Sequence, residues 1–509
     1  MSTEKPPLVP ARHILPFALV TTLFALWGFA NDVTNPLVAA FRDVFVISNA
    51  QSAWIQTAFY GGYATMALPA ALFIRRHSYK AGILLGLALY AAGAMVAIPA
   101  AHFVDFNIFL VALYILTFGL AFLETTANPY ILSMGDRATA TRRLNLAQAF
   151  NPIGSLTGMT VASIAILGSL QVSDFRSEVQ AFQKHAIAHV EAGGPGREAE
   201  PEAPGAPPET DAALAAFLAS QTDLAELSRD ALLNRAIAAF KDGEIPAYRG
   251  ATHREMQRHD LDVVKTPYVV IGLVVLGMFL VFLVTRMPDT APHADDRLDL
   301  RTTFAVLARN RRYREGVLAQ ALYVGAQIMC WTFVIHYGMT NLGMTAAEAQ
   351  NHNIAAMVLF CASRFLCTLL LKFVDPGRLL FLLALGGALC AAGAMLLPGY
   401  AGLYSLVAIS PCMSLMFPTI YGIALDGMGD EAKIGSAGLI FAIVGGALMP
   451  MLQGRLIDLG GETGLLLGLP AVSFSFVLPL ACFVAIGLYA LRSTRPAGET
   501  GPPRSSSAE

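Results

Sequence analysis

The sequence predicts an all-α membrane protein of twelve transmembrane helices arranged as two six-helix bundles, on three observations. Of its 509 residues, 55% are hydrophobic and only 14% charged, whereas a soluble domain carries about 25% charged residues. The apolar residues gather in blocks of about 20 instead of recurring at amphipathic spacing, and that length crosses a ~30 Å hydrocarbon core. Twelve such blocks are found, and a charged stretch at 287–313 divides them six and six.

The first block, 14–40, begins near His13 and runs past Trp27 with no small-residue cleavage site behind it. It is read as a retained span, not a removed signal peptide. The others fall at 53–74, 82–101, 108–133, 144–170, 266–286, 314–337, 352–372, 378–397, 402–426, 434–455 and 470–491. Each is helical, because an open segment in lipid must satisfy its own backbone. Residues 1–170 and 266–286 make the first bundle, 314–492 the second, 287–313 a cytoplasmic linker and 493–509 a cytoplasmic tail.

Orientation follows from the basic residues. Arg75, Arg76, Lys80, Arg137, Arg142, Arg143, Lys372 and Arg378 fall in loops on one side, together with six arginines between spans six and seven. The opposite loops at 102–107, 338–351 and 398–401 contain no Lys or Arg; Arg42 and Arg455 are the exceptions. Basic residues mark the cytoplasmic side, so both termini are placed there, in a multi-pass protein of the cell inner membrane. The polar insertion 171–265 then lies outside. Its stretch 193–209, GGPGREAEPEAPGAPPE, is too rich in Pro, Gly and Glu to bury a core and is expected to be disordered. Residues 211–240 are expected to form short amphipathic helices on Leu214, Phe217, Leu218 and Leu224, as a spacer or cap.

An ionisable side chain at membrane depth costs at least ~2.5 kcal/mol, so each one needs a reason. Span one carries Asn31, Asp32 and Asn35 ahead of Pro36, with Asp32 and Asn35 three apart on one face. A carboxyl there is cheaper protonated than charged, which is what a proton carrier needs. The plain alternative is an aspartate neutralised by neighbouring hydrogen bonds. Span four places Glu124 and Asn128 four apart, a pair able to take a proton and to bond sugar hydroxyls.

Span five gives Asn145, Gln148 and Asn151 along one stripe. Neutral amides beside aromatics suit a polyol, whose hydroxyls each need a donor and an acceptor. Asn145, near the inner end, is read as an interhelical hydrogen bonder, and Gln148 and Asn151 as ligands. In span seven, Gln320, Tyr323, Gln327 and Trp331 follow a 3-4-4 spacing, so that rings stack on a sugar while amides hold its hydroxyls. Gln56 and Tyr60, with Tyr63, face the path from span two; His336 is read as hydrated, and Arg364 as paired or snorkelling inwards. Gly154 and Gly158, and the pair Gly445–Gly446, permit close helix contacts.

Net charge is −2, so no basic field argues for nucleic acid. The six cysteines lie in apolar blocks without metal-ligand spacing. No Walker loop, dinucleotide fingerprint or Cys/His set is present, so no enzyme and no cofactor is expected, only an ion gradient as driving force. The expected partners are a small sugar, a proton and membrane lipid, with the chain as a monomer.

At these spans the chain resembles the fucose–galactose–glucose:proton symporter branch of the major facilitator superfamily. The stretches that carry the resemblance include PFALVTTLFALWGFAND, IQTAFYGGY, FLETTANPYI, RLNLAQAFNPIG and KIGSAGLIFAIVGGALMP, and it spans nearly all of the membrane part but not 171–265. It implies proton-coupled symport of a neutral hexose, L-fucose first, by alternating access, with the family's span-four glutamate on Glu124 and its span-five amide on Gln148. Three departures stand out. The family's Asn followed three residues later by Asp is here Asp32 followed by Asn35; Phe417 replaces a tyrosine; His336 replaces an arginine. Either Asp32 takes over proton coupling from its shifted position, or Glu124 carries the proton and Asp32 tunes the sugar site. The alternatives in function are glucose, galactose or an N-acetylhexosamine as substrate, or a sugar sensor without transport.

Overall fold

The computed structural model describes residues 6–34, 44, 49–161, 169–192, 210–221, 229–288, 300–344, 346–461 and 464–494. Helices dominate because the chain's apolar blocks have no other way to pair their backbone in lipid. The first half contains α1 (Ile14–Thr34), α2 (Asn49–Arg76), α3 (Tyr79–Phe103), α4 (Phe106–Ser133), α5 (Ala140–Gln148) and α6 (Asn151–Val161). Three helices, α7 (Gln171–Ala192), α8 (Ala212–Ala219) and α9 (Arg229–Asp242), precede α10 (His253–Val284), which completes the first bundle. After α11 (Leu300–Arg309), the second bundle comprises α12 (Arg311–Leu342), α13 (Ala346–Leu370), α14 (Pro376–Leu396), α15 (Gly399–Met413), α16 (Met416–Leu425), α17 (Ala432–Phe441), α18 (Gly445–Asp458), α19 (Ala471–Phe474) and α20 (Val477–Ser493). A two-residue antiparallel ladder, β1 (Leu465–Leu466) with β2 (Leu469–Pro470), joins α18 to α19.

Among the described residues, eleven helices or broken helices are long and apolar enough to cross a membrane. The twelfth span is the broken pair α5–α6, whose continuation at 162–168 lies outside the described residues. Breaks also divide α15 from α16 and α17 from α18, so spans five, ten and eleven are each interrupted. Interrupted helices are where a transporter lines a cavity with backbone and polar side chains.

Helix starts follow local chemistry. The Asp105 carboxylate accepts from the Asn107 and Ile108 amides at 2.7 and 3.2 Å, Asn310 caps α12 at Tyr313, and Asp375 caps α14 with Pro376 in the first position. Close packing follows small residues. A Cβ on Gly154 or Gly158 would fall on the backbone of Ala25 and Phe29 in α1, and one on Gly445 on the backbone of Ala321 in α12. Within the first bundle α3 lies on α4 and α10, and α1 on α6; within the second α12 lies on α16, α18 and α20.

The insertion is more ordered than its composition suggests. The stretch 193–209 and Leu224 lie outside the described residues, yet α7, α8 and α9 share a core of Phe175, Phe240, Tyr248, Leu214 and Leu218. At its centre, the Glu178 carboxylate accepts from Tyr248 Oη at 2.8 Å, Arg249 Nη2 at 2.7 Å and the Asp211 amide at 3.0 Å. The 32 residues of α10 span about 48 Å, well beyond the ~30 Å core, so its first turns rise out to meet this cap. There the buried Asp260 accepts from the Gln171 and Val172 amides at 2.8 and 2.9 Å, and Gln257 donates to the Val44 carbonyl at 2.7 Å. Glu178→Ala is expected to loosen the cap by about 1–3 kcal/mol, since it leaves the buried Tyr248 hydroxyl unpaired. Faster hydrogen exchange confined to α7–α9 would be the sign.

Candidate functional site

A cavity of about 150 Å³ lies between the two bundles, and its wall draws on α1, α2, α4, α5, α6, α12, α13 and α16, with Ile443 between α17 and α18. Of the residues singled out from sequence, it brings together Asp32, Tyr60, Glu124, Gln148, Asn151, Tyr323, Gln327, Trp331 and Phe417. Asn35 and the side chains of Asn31 and Gln56 lie outside the described residues. Asn128 does not line the wall; it stands behind Gln148, whose Nε2 donates to Asn128 Oδ1 at 2.7 Å, while Asn128 Nδ2 donates to the Glu124 carbonyl at 2.9 Å. Gln320 is wholly buried, and neither amide atom has a hydrogen-bond partner among the described residues. His336 is exposed.

Glu124 sits on α4 with its side chain buried, and Tyr63 Oη donates to its Oε1 at 2.8 Å. Asp32 lies on α1 within electrostatic reach of Tyr60. On the other bundle, Trp331 donates from Nε1 to Ser410 Oγ at 3.2 Å and meets Phe360 edge-on, which fixes the indole. Tyr323 lies beside Phe417 with ring centroids 6.2 Å apart, and its hydroxyl has no hydrogen-bond partner among the described residues. The arrangement offers two carboxyls and amides from the first bundle against rings and an amide from the second. That combination suits a neutral polyol and a proton.

Two polar wall residues had no site role from sequence. Tyr63 was placed on the path without a role, and Arg364 was read as paired or snorkelling. Arg364 is buried; Nε donates to the Ser414 carbonyl at 2.5 Å and Nη1 to the Gln148 carbonyl of the opposite bundle at 3.0 Å. No sequence pattern announces a carbonyl partner, so this placement had no signal.

The bundles are joined at the end that carries the chain termini. Arg137 Nε pairs with Asp426 Oδ1 at 2.6 Å, and Arg312 with Asp426 Oδ2 at 3.2 Å. Asn145 Nδ2 donates to Thr419 Oγ1 at 3.1 Å, Ser436 Oγ to the Thr125 carbonyl at 3.3 Å, and the Lys433 ammonium lies 5.2 Å from the centroid of the Tyr79 ring. The interhelical role read for Asn145 is thus a bond across the two halves. Asp426→Ala removes both arginine contacts, and is expected to raise the population open at this end about two- to fivefold. Maleimide labelling of a cysteine placed at the buried Ser436 should rise accordingly.

Comparison with known proteins agrees with this architecture. A family model described as Major Facilitator Superfamily matches residues 19–175. The L-fucose-proton symporter of Haemophilus influenzae is 48% identical over 482 residues, covering 95% of this chain and 97% of that protein. The L-fucose-proton symporter of Escherichia coli is 32% identical over 485 residues, covering 94% and 93%. The solved structure of the E. coli fucose:proton symporter superposes with a TM-score of 0.72 at 29% identity, covering 95% of this chain and all of that one.

Proposed function

Because the chain belongs to the major facilitator superfamily, in its fucose–galactose–glucose:proton symporter branch, we propose that it is a proton-coupled symporter of a neutral hexose, L-fucose first. The observation that carries the reading is the cavity between the bundles, where Asp32 and Glu124 share one wall with amides and face aromatic rings. The basic residues at the terminal end support placing both termini in the cytoplasm of a bacterial inner-membrane protein, with the cap outside. The chain works as a monomer without a cofactor.

In the proposed cycle the cavity loads from the cap side while the terminal end is held shut. Glu124, with Asp32 beside it, takes the proton. Gln148, Asn151 and Gln327 hold sugar hydroxyls, Asn128 orients Gln148, and Trp331, Tyr323 and Phe417 cover the sugar's apolar face. Closing a cavity around an ionised carboxyl carries a large desolvation penalty, and protonation removes it. The loaded halves therefore rock, the bonds of Arg137, Asn145 and Ser436 across the halves release, and sugar and proton leave together on the cytoplasmic side.

External pH in a lightly buffered suspension of de-energised cells tests this directly. Adding L-fucose is expected to give a transient alkalinisation that vector controls and protonophore abolish. Silence with every hexose would overturn symport. A second reading, glucose, galactose or an N-acetylhexosamine as substrate, is favoured by Phe417, which lacks a hydroxyl, and by the order Asp32 then Asn35. The same trace repeated across hexoses decides between the two.

A further inference from the structure

We infer that Arg364 is the counter-charge of the cavity, holding its wall to a single transported proton. The inference rests on the symport reading. Among the described residues the wall carries two carboxyls, Asp32 and Glu124, and one guanidinium, Arg364. Arg364 is only 4% exposed and makes no ion pair among the described residues. Its Nε and Nη1 donate to the Ser414 and Gln148 carbonyls, and its guanidinium carbon lies 4.9 Å from the centroid of the Phe360 ring. Among the described residues Nη2 makes no hydrogen bond, and Arg364 is part of the cavity wall.

Beside its carbonyl and ring contacts, a buried cation is favoured by opposite charge that shares its low-dielectric space. The other titratable groups around these three are Tyr60 and Tyr63 on α2, Tyr323 on α12, Tyr421 on α16, and Cys361 and Cys367 on Arg364's own helix. At their ordinary values all are uncharged near pH 7. With both carboxyls ionised the wall sums to one negative charge, and one proton brings it to zero. A neutral wall closes on a neutral sugar with the smallest desolvation penalty. Without Arg364, neutrality requires two protons.

The test uses the full chain in proteoliposomes with imposed proton gradients, reading labelled L-fucose accumulation against gradient size. Wild type is expected to follow one proton per sugar, and Arg364→Gln two. Arg364→Lys keeps the charge and loses the planar fork, so it keeps one proton per sugar at a reduced rate. Should Arg364→Gln fold without transporting, the charge-matched variant R364Q/D32N must recover sugar-for-sugar counterflow, which needs no proton carrier. A ratio of one in Arg364→Gln, a ratio of two in wild type, failure of that rescue, or a changed ratio in Arg364→Lys each overturns the inference. A wild-type chain that moves no hexose with protons fails the symport reading instead.

Discussion

In proteoliposomes with an imposed proton gradient, the Glu124→Gln chain is expected to equilibrate L-fucose without concentrating it. The amide keeps the size of the side chain and still accepts from Tyr63 Oη, so the wall is unchanged in shape. What it loses is the ability to exchange a proton between the two faces. Uphill accumulation should fall to the level of an ungraded vesicle, while sugar-for-sugar counterflow persists, because counterflow needs only rocking of the loaded halves. Asp32→Asn separates the two roles left open for span one. If Asp32 carries the proton, it reproduces the Glu124→Gln result; if it tunes the sugar site, accumulation survives with weakened affinity. Normal accumulation by both single variants would overturn the assignment of either acid.

The second large effect is expected from Gly154→Ala. The added methyl falls on the Ala25 carbonyl and close to the Phe29 amide, which are backbone atoms of a packed helix and have little room to give. Overpacking of this kind costs about 1–3 kcal/mol, and more where backbone must move. The displaced helix is α1, which carries Asp32, and Gly154 stands one turn beyond Asn151, so the cavity shifts with it. A lower melting temperature in detergent and reduced fucose binding should appear together. Gly277→Ala is the matched control. It lies in α10 with no atom within 4 Å of its added methyl, so it gains helix propensity, about 0.5–1 kcal/mol, without a clash. Equal behaviour of the two variants would show that the close approach of α1 and α6 carries no weight.

Hydropathy made the twelve spans legible because a membrane helix must be apolar along its whole length. It was silent where that demand ends. The first thirteen residues of α10, before Thr266, are a polar helix rising above the bilayer, and the 22 residues of α7 are amphipathic, so neither registers as a block. The breaks at Ala149–Phe150 and Ser414–Leu415 do not lower the hydropathy of their spans and are marked only by nearby prolines, Pro152, Pro411 and Pro418. The site was legible for a related reason. A carboxyl or amide inside an apolar block is conspicuous, so Asp32, Glu124, Gln148 and Gln327 stood out and now share one wall. Spacing along a helix says which residues share a face, and not whether the face meets the cavity or a neighbour. Asn128 and Asn145 lie on the stripes of Glu124 and Gln148 but bond inside the wall and across the halves. Arg364 was read as paired or snorkelling, and the partners it has are main-chain carbonyls, one of them from the opposite half, which no spacing announces.

The tether between the cap and the first bundle bears on how this molecule can be imaged. A transporter embedded in a detergent belt offers little outside the belt by which single particles can be oriented. Here α7–α9 stand clear of it, packed on one another and fixed to α10 through Asp260, and α10 is tied in turn through Gln257 to Val44 beyond α1. That fixed protrusion is a built-in fiducial. Because it is pinned to the first half, its angle to the second half in each class average would read out the rocking motion without any added antibody fragment.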